Sequence, residues 1–118
     1  MTNSDEWREK GLELLEELKQ ASADGVPVIV EGQNDEKALK GLGLSGIIVK
    51  LKGKHSLNEV AELLASKFKR AIILTDPDYE GKKLAAQMAK LLEQYGTHPE
   101  FRYLRITKLL GKTAVEQL

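Results

Sequence analysis

Val26-Pro27-Val28-Ile29-Val30-Glu31-Gly32 and Ala71-Ile72-Ile73-Leu74-Thr75-Asp76-Pro77-Asp78-Tyr79-Glu80-Gly81 are two passages built to one plan. Each is a β-branched, apolar run that ends in acid and then glycine. A run without polar alternation is what a strand buried on both faces requires, since neither side of its pleat meets water. GIIVKL (46–51), between them, reads as a further strand.

Between and around these runs the pattern is helical. Residues from Asp5 to about Ala23 place Trp7, Gly11, Leu14, Leu15, Leu18 and Ala21 on one face, with acids over much of the rest. Asn34 suits the cap of a helix over 35–42, where Asp35 and Glu36 meet the positive end of the dipole. Ser56 and Glu59 form a capping box that opens a helix with Leu57, Val60, Ala61, Leu64 and Phe68 inward. A further helix runs from Asp78–Gly81 to Tyr95, with Leu84, Met88, Leu91 and Leu92 on its stripe and Gly96 as its stop. FRYLRI (101–106) alternates enough to predict a fourth, edge strand, His98 reads as a loop residue, and the last dozen residues are weakly helical. Strands alternating with helices predict βαβ units and a parallel sheet. The expected fold is therefore α/β, a three-layer domain over 25–118 with a four-stranded parallel sheet flanked by helices, plus an N-terminal amphipathic helix over 1–24 packed on it.

At 118 residues one compact domain is the expectation. Without cysteine, disulfides and thiolate zinc sites are excluded. No apolar run approaches the ~20 residues that span a bilayer, and the polar, acidic start differs from a signal peptide. A cytoplasmic protein without a membrane partner is expected. The net charge is zero, but residues 1–24 hold seven acids against three bases, leaving the rest at net +4. That asymmetry permits a weak polyanion-binding face.

Ligands of an open parallel sheet bind at the carboxyl ends of its strands. If the first and third strands are neighbours, Glu31, Asp76, Asp78 and Glu80 gather at one rim. Acids so crowded repel unless protonated or neutralised by a cation, and all-oxygen donors favour Mg²⁺ or Mn²⁺ over zinc. Gly32 and Gly81 let backbone approach a phosphate, and the helices that follow offer N–H groups to an anion. Taken singly, Glu31 reads equally as a solvated turn residue and Asp78 as a plain helix cap. Lys50, Lys52, Lys54 and His55 follow the second strand, and Lys82 and Lys83 follow Gly81. Lys54 and Lys82 are the expected phosphate contacts among them.

A strand ending in Glu-Gly, followed by a strand ending in Asp-x-Asp with glycine three residues later, resembles the Toprim domain. That domain is shared by type IA and type II topoisomerases, bacterial primases, overcoming-lysogenization-defect nucleases, the recombination mediator RecR and the ribonuclease that matures 5S ribosomal RNA. The resemblance spans about Gly25 to Ile106. VIVEGQNDEKAL and IILTDPDYEG look closest to the 5S-maturing ribonuclease, while Glu80 is more like type IA topoisomerases. It implies Glu31 as the proton-shuttling catalytic carboxylate, sharing the metal, with Asp76 and Asp78 holding Mg²⁺ and Glu80 assisting directly or through water.

Two alternatives to the Asp-x-Asp reading fall short. A haloacid-dehalogenase phosphatase places that motif after the first strand, and a response-regulator receiver wants paired acids after the first strand and a lone aspartate after the third. Gly111-Lys112-Thr113 is not a P-loop, because Ile106 stands where its first glycine belongs. The expected function is Mg²⁺-dependent nuclease or phosphoryl-transfer chemistry on RNA or DNA. The alternative is a non-catalytic module binding metal and either nucleic acid or a protein partner, since 118 residues leave no room for the additional domains of the larger family members. A phosphatase-like activity on small nucleotides ranks third. The acidic N-terminal helix leaves monomer and homodimer both open.

Overall fold

The computed structural model describes residues 3–118. In chain order it contains α1 (Asn3–Ala23), β1 (Val28–Val30), α2 (Gln33–Gly41), β2 (Ile48–Lys50), α3 (Leu57–Ala65), β3 (Arg70–Ile73), α4 (Tyr79–Tyr95), β4 (His98–Glu100), α5 (Ile106–Leu109) and a 3₁₀ turn at Val115–Gln117. The strands form one sheet in the order β2-β1-β3-β4, parallel throughout. Val28 pairs with Ile48 on one side and Ile72 on the other, so β1 lies inside the sheet and all three of its residues are fully buried. No helix among the described residues is long and apolar enough to cross a membrane.

The pleat divides the core in two. Val28, Val30, Ile72 and Leu74 face α1, α2 and the C-terminal segment, packing with Leu14, Leu18, Leu39, Ile106 and Val115. Ile29, Ala71 and Ile73 face α3 and α4, against Ala61, Leu64, Met88 and Leu92. This is the expected three-layer α/β arrangement, with helices on both faces of a parallel sheet.

The fourth strand lies earlier than the sequence predicts. It runs over His98–Glu100, with Arg70 paired to His98, Ala71 to Pro99 and Ile72 to Glu100. His98 is thus a strand residue, not a loop residue. Gly96 caps α4 in a left-handed conformation (φ +95°), and Thr97 anchors its hydroxyl on the Phe68 carbonyl at 2.8 Å. The chain is then already beside β3, and an edge position tolerates a proline that cannot donate to the ladder. Residues 101–106 form successive turns, in which Leu104 N–H donates to the Phe101 carbonyl and Ile106 N–H to that of Tyr103. Tyr103 and Ile106 are buried while Arg105 is exposed. The alternation that suggested a strand is the spacing of a turn.

Two helix starts also differ from expectation. The α2 helix begins at Gln33 with Gly32 as its cap instead of Asn34, because the Asp35 carboxylate accepts the Gly32 N–H at 3.0 Å. On α1, Leu14 and Leu18 are core residues but Trp7 is 57% exposed. The helix is covered only from Gly11 onward, where α5 crosses so closely that a Cβ at Gly11 would meet Leu110 Cδ2 at 2.8 Å.

Candidate functional site

β1 and β3 are neighbours, and their carboxyl ends carry the acids to one rim. The ladder continues past the strands as Leu74 N–H donates to the Ile29 carbonyl. The next inward N–H, that of Asp76, donates at 2.7 Å to Glu31 Oε2. The side chain of the residue just after β1 thus takes the position a strand carbonyl would hold. Lys52 N–H bonds the Glu31 carbonyl from the opposite side, which fixes the residue between β2 and β3.

Each aspartate is held in turn. Asp76 Oδ1 accepts the Val115 N–H at 2.7 Å, and Asp78 Oδ1 accepts the Gly81 N–H at 2.7 Å as the cap of α4. Buried Thr75 donates its hydroxyl to the Gly81 carbonyl at 2.8 Å. Gly81 is obligatory for this turn, because a Cβ there would overlap the Asp76 carbonyl oxygen. The interval from Asp76 to Gly81 is therefore set by one close backbone crossing.

Burial is the main cause that raises the Glu31 carboxyl above the usual range. The charges of Asp76 and Asp78 add to it, against the hydrogen bond from Asp76 N–H. Asp35, 7% exposed, is raised chiefly by burial and then by the charges of Asp76 and Glu116, with the Gly32 N–H opposing. The rim is short of positive charge for the carboxylates it gathers.

Among the described residues no group of three His, Cys, Asp or Glu side chains closes around an ion. The backbone N–H groups that bond these side chains fall on Glu31 Oε2, Asp76 Oδ1 and Asp78 Oδ1, while the Glu31 and Asp76 carboxyls also face each other. Mg²⁺ keeps several waters and is typically bound through one or two carboxylates plus phosphate oxygens. The donor set fits an open, partly hydrated ion of that kind and does not form a closed cage.

Three hollows surround the rim. One of about 360 Å³ is lined by Glu31, Asp35, Lys52, Asp76 and Glu116 among others. A second, about 380 Å³, lies between Glu31, Lys52, Glu80 and Lys83. The third, about 170 Å³, lies on the far side of Asp76 and includes Lys82. Of the residues singled out in the sequence, Glu31, Asp76 and Asp78 are brought together. Glu80 stands exposed on the first turn of α4, across the second hollow from Lys52. Lys54 lies in the exposed loop after β2 and lines none of the three.

The sequence reading prefers Lys54 to Lys52, gives Asp35 only a helix-dipole role and does not single out Glu116. Lys52 was readable, since it follows Leu51 at the end of the strand beside β1. Asp35 carries the three-residue interval to Gly32 that marks half of a capping box. Glu116 reaches the rim only because buried Val115 plugs the core beside it, and nothing local announces that.

The profile of the Toprim domain matches residues 26–109. A UPF0292 protein of Pyrococcus abyssi is 40% identical over 89 residues, covering 75% of this chain and 66% of its own length. The chain thus spans just under two thirds of that relative. A UPF0292 protein of Thermococcus gammatolerans is 35% identical, with 89% of this chain and 75% of the relative covered. A solved structure of an Aquifex aeolicus protein superposes with a TM-score of 0.78 at 30% identity, covering 90% of this chain and 95% of that one. With its parallel sheet and acidic rim, the chain belongs to the Toprim domain family, a family related to nucleic acid whose members generally bind divalent metal ions such as Mg²⁺.

Proposed function

We propose that this protein is a Mg²⁺-dependent, cytoplasmic Toprim enzyme that acts on phosphodiesters of RNA or DNA by hydrolysis or phosphoryl transfer. The hydrogen bond from Asp76 N–H to Glu31 Oε2 supports this reading above all. It joins the two strand ends, so that a phosphate over the rim would meet a proton-exchanging carboxylate and a metal-binding pair together. In this reading Asp76 and Asp78 hold Mg²⁺, or Mn²⁺, through their carboxylates, and Glu80 assists directly or through water. The bound ion would supply charge to polarise a phosphoryl oxygen. Glu31, also beside the metal, has a carboxyl raised by burial, the direction that suits a proton-exchanging group. Lys82 and Lys54 contact flanking phosphates, with Lys52 nearer to Glu31 than the sequence suggested.

A second reading, a non-catalytic module that binds metal and nucleic acid or a protein partner, draws its support from the zero net charge of the chain. Calorimetry with Mg²⁺ and Mn²⁺ on the natural protein and on Asp76→Asn/Asp78→Asn separates the cases when followed by cleavage assays. The enzyme reading expects metal binding and a raised melting temperature only with both aspartates, and metal-dependent cleavage of structured RNA or DNA lost in Glu31→Gln. Metal-dependent nucleic-acid binding with no turnover at any concentration would replace it by the module.

A further inference from the structure

The smallest of the three hollows differs in character from the other two. Its lining is mostly apolar, with Pro77, Ala85 and Leu104, and it also includes Thr75, Asp76, Lys82, Arg105 and Lys108. The three cations are exposed and make no ion pair with any described residue, whereas Lys19, Lys40, Lys50 and Arg102 all do. Cations without partners repel one another, and with the single charge of Asp76 the charged side chains lining this cavity sum to +2. A phosphodiester carries one negative charge, but a phosphomonoester carries about two near neutral pH. A volume of about 170 Å³ is below the roughly 300 Å³ at which pockets for drug-sized ligands begin. It suits one ring system, not a run of nucleotides.

We infer that this cavity is a mononucleotide site. It takes the base of a 5′-phosphorylated nucleotide between its aliphatic walls and holds the phosphomonoester at Lys82, Arg105 and Lys108. The nucleotide is either free or the 5′ end of a polynucleotide chain. In the latter case the inference deepens the proposed phosphodiester chemistry, because Asp76 belongs to both the cavity lining and the acidic rim. A chain whose end is seated here has its following phosphates carried toward Glu31 and Asp78.

The test is made in EDTA, so that it does not depend on metal or turnover. Adenosine 5′-monophosphate, adenosine and inorganic phosphate are titrated calorimetrically into the natural protein and into Arg105→Ala/Lys108→Ala, whose exposed positions spare the core. The monophosphate should bind at least about tenfold more tightly than adenosine or phosphate alone, and the double variant should lose about tenfold or more of that affinity. A 5′-phosphorylated oligonucleotide that competes where its 5′-hydroxyl twin does not identifies a chain end, and competition by the free nucleotide alone identifies a small-molecule ligand. Equal binding of adenosine and its monophosphate, unchanged affinity in the double variant, or no binding to the natural protein would overturn the inference. Loss of metal-dependent cleavage with monophosphate binding intact would count only against the enzyme reading.

Discussion

Glu31 Oε2 accepts a hydrogen bond from the Asp76 backbone N–H at 2.7 Å across 45 residues of sequence. One carboxylate thereby closes the end of the β1–β3 ladder and faces the acids that follow β3. Structure and charge are coupled in a single contact. An acceptor is needed there for the backbone, while a negative charge there is opposed by burial and by its neighbours.

Substitutions at Glu31 should separate these two roles. Glu31→Ala leaves the partly buried Asp76 N–H without its acceptor and should destabilise the fold by about 1–3 kcal/mol in denaturant unfolding. Glu31→Gln keeps an acceptor and removes the repulsion, so its stability at pH 7 without metal should equal or exceed that of the natural protein. A glutamine variant as unstable as the alanine variant would refute the assignment.

The raised carboxyls of Glu31 and Asp35 carry a definite sign. A carboxyl whose folded pKa lies above its unfolded value binds more protons in the folded state within that window. Its favourable contribution is complete below the ordinary carboxylate range and is lost as pH rises through the folded value. Glu17, Glu36 and Glu59 are lowered by their partners and act in the opposite sense, so the difference between proteins is the useful quantity. In EDTA the melting temperature of Glu31→Gln minus that of the natural protein should increase from about pH 4.5 upward, the ordinary glutamate value, and Mg²⁺ should reduce that difference.

Gly81→Ala tests the backbone crossing beneath the site. The new methyl would overlap the Asp76 carbonyl, and neither backbone segment can move without disturbing the bonds to Thr75 and Asp78. A loss of about 1–3 kcal/mol is expected, although alanine is the better helix former. Equilibrium unfolding that shows a gain in stability would contradict the geometry.

The α1 helix should prove stabilising only over its second half. Leu18→Ala empties a fully buried position and should cost about 2–5 kcal/mol. Trp7→Ala alters an exposed side chain and should stay within about 0.5 kcal/mol. Comparable losses at both positions would mean that Trp7 is covered in solution.

Much of this fold was legible because its signals are local. Unbroken apolar runs at 28–30 and 71–74 identified strands buried on both faces, and helix stripes at Leu57–Leu64 and Leu84–Leu92 identified what covers them. The acid-glycine endings of β1 and β3 marked the rim, since parallel topology brings such ends to one side. Residues 97–106 were misread because a proline at an edge and buried residues three apart resemble a loop and then a strand until β3 supplies a partner. The seating of Val115 on Asp76, the exposure of Trp7 and the gathering of Lys82, Arg105 and Lys108 around one cavity depend on contacts between distant segments. Local propensity and periodicity act through neighbouring residues and so are written in the sequence. Which side chains share one hollow follows from how whole elements cross, and only the packed tertiary structure decides that.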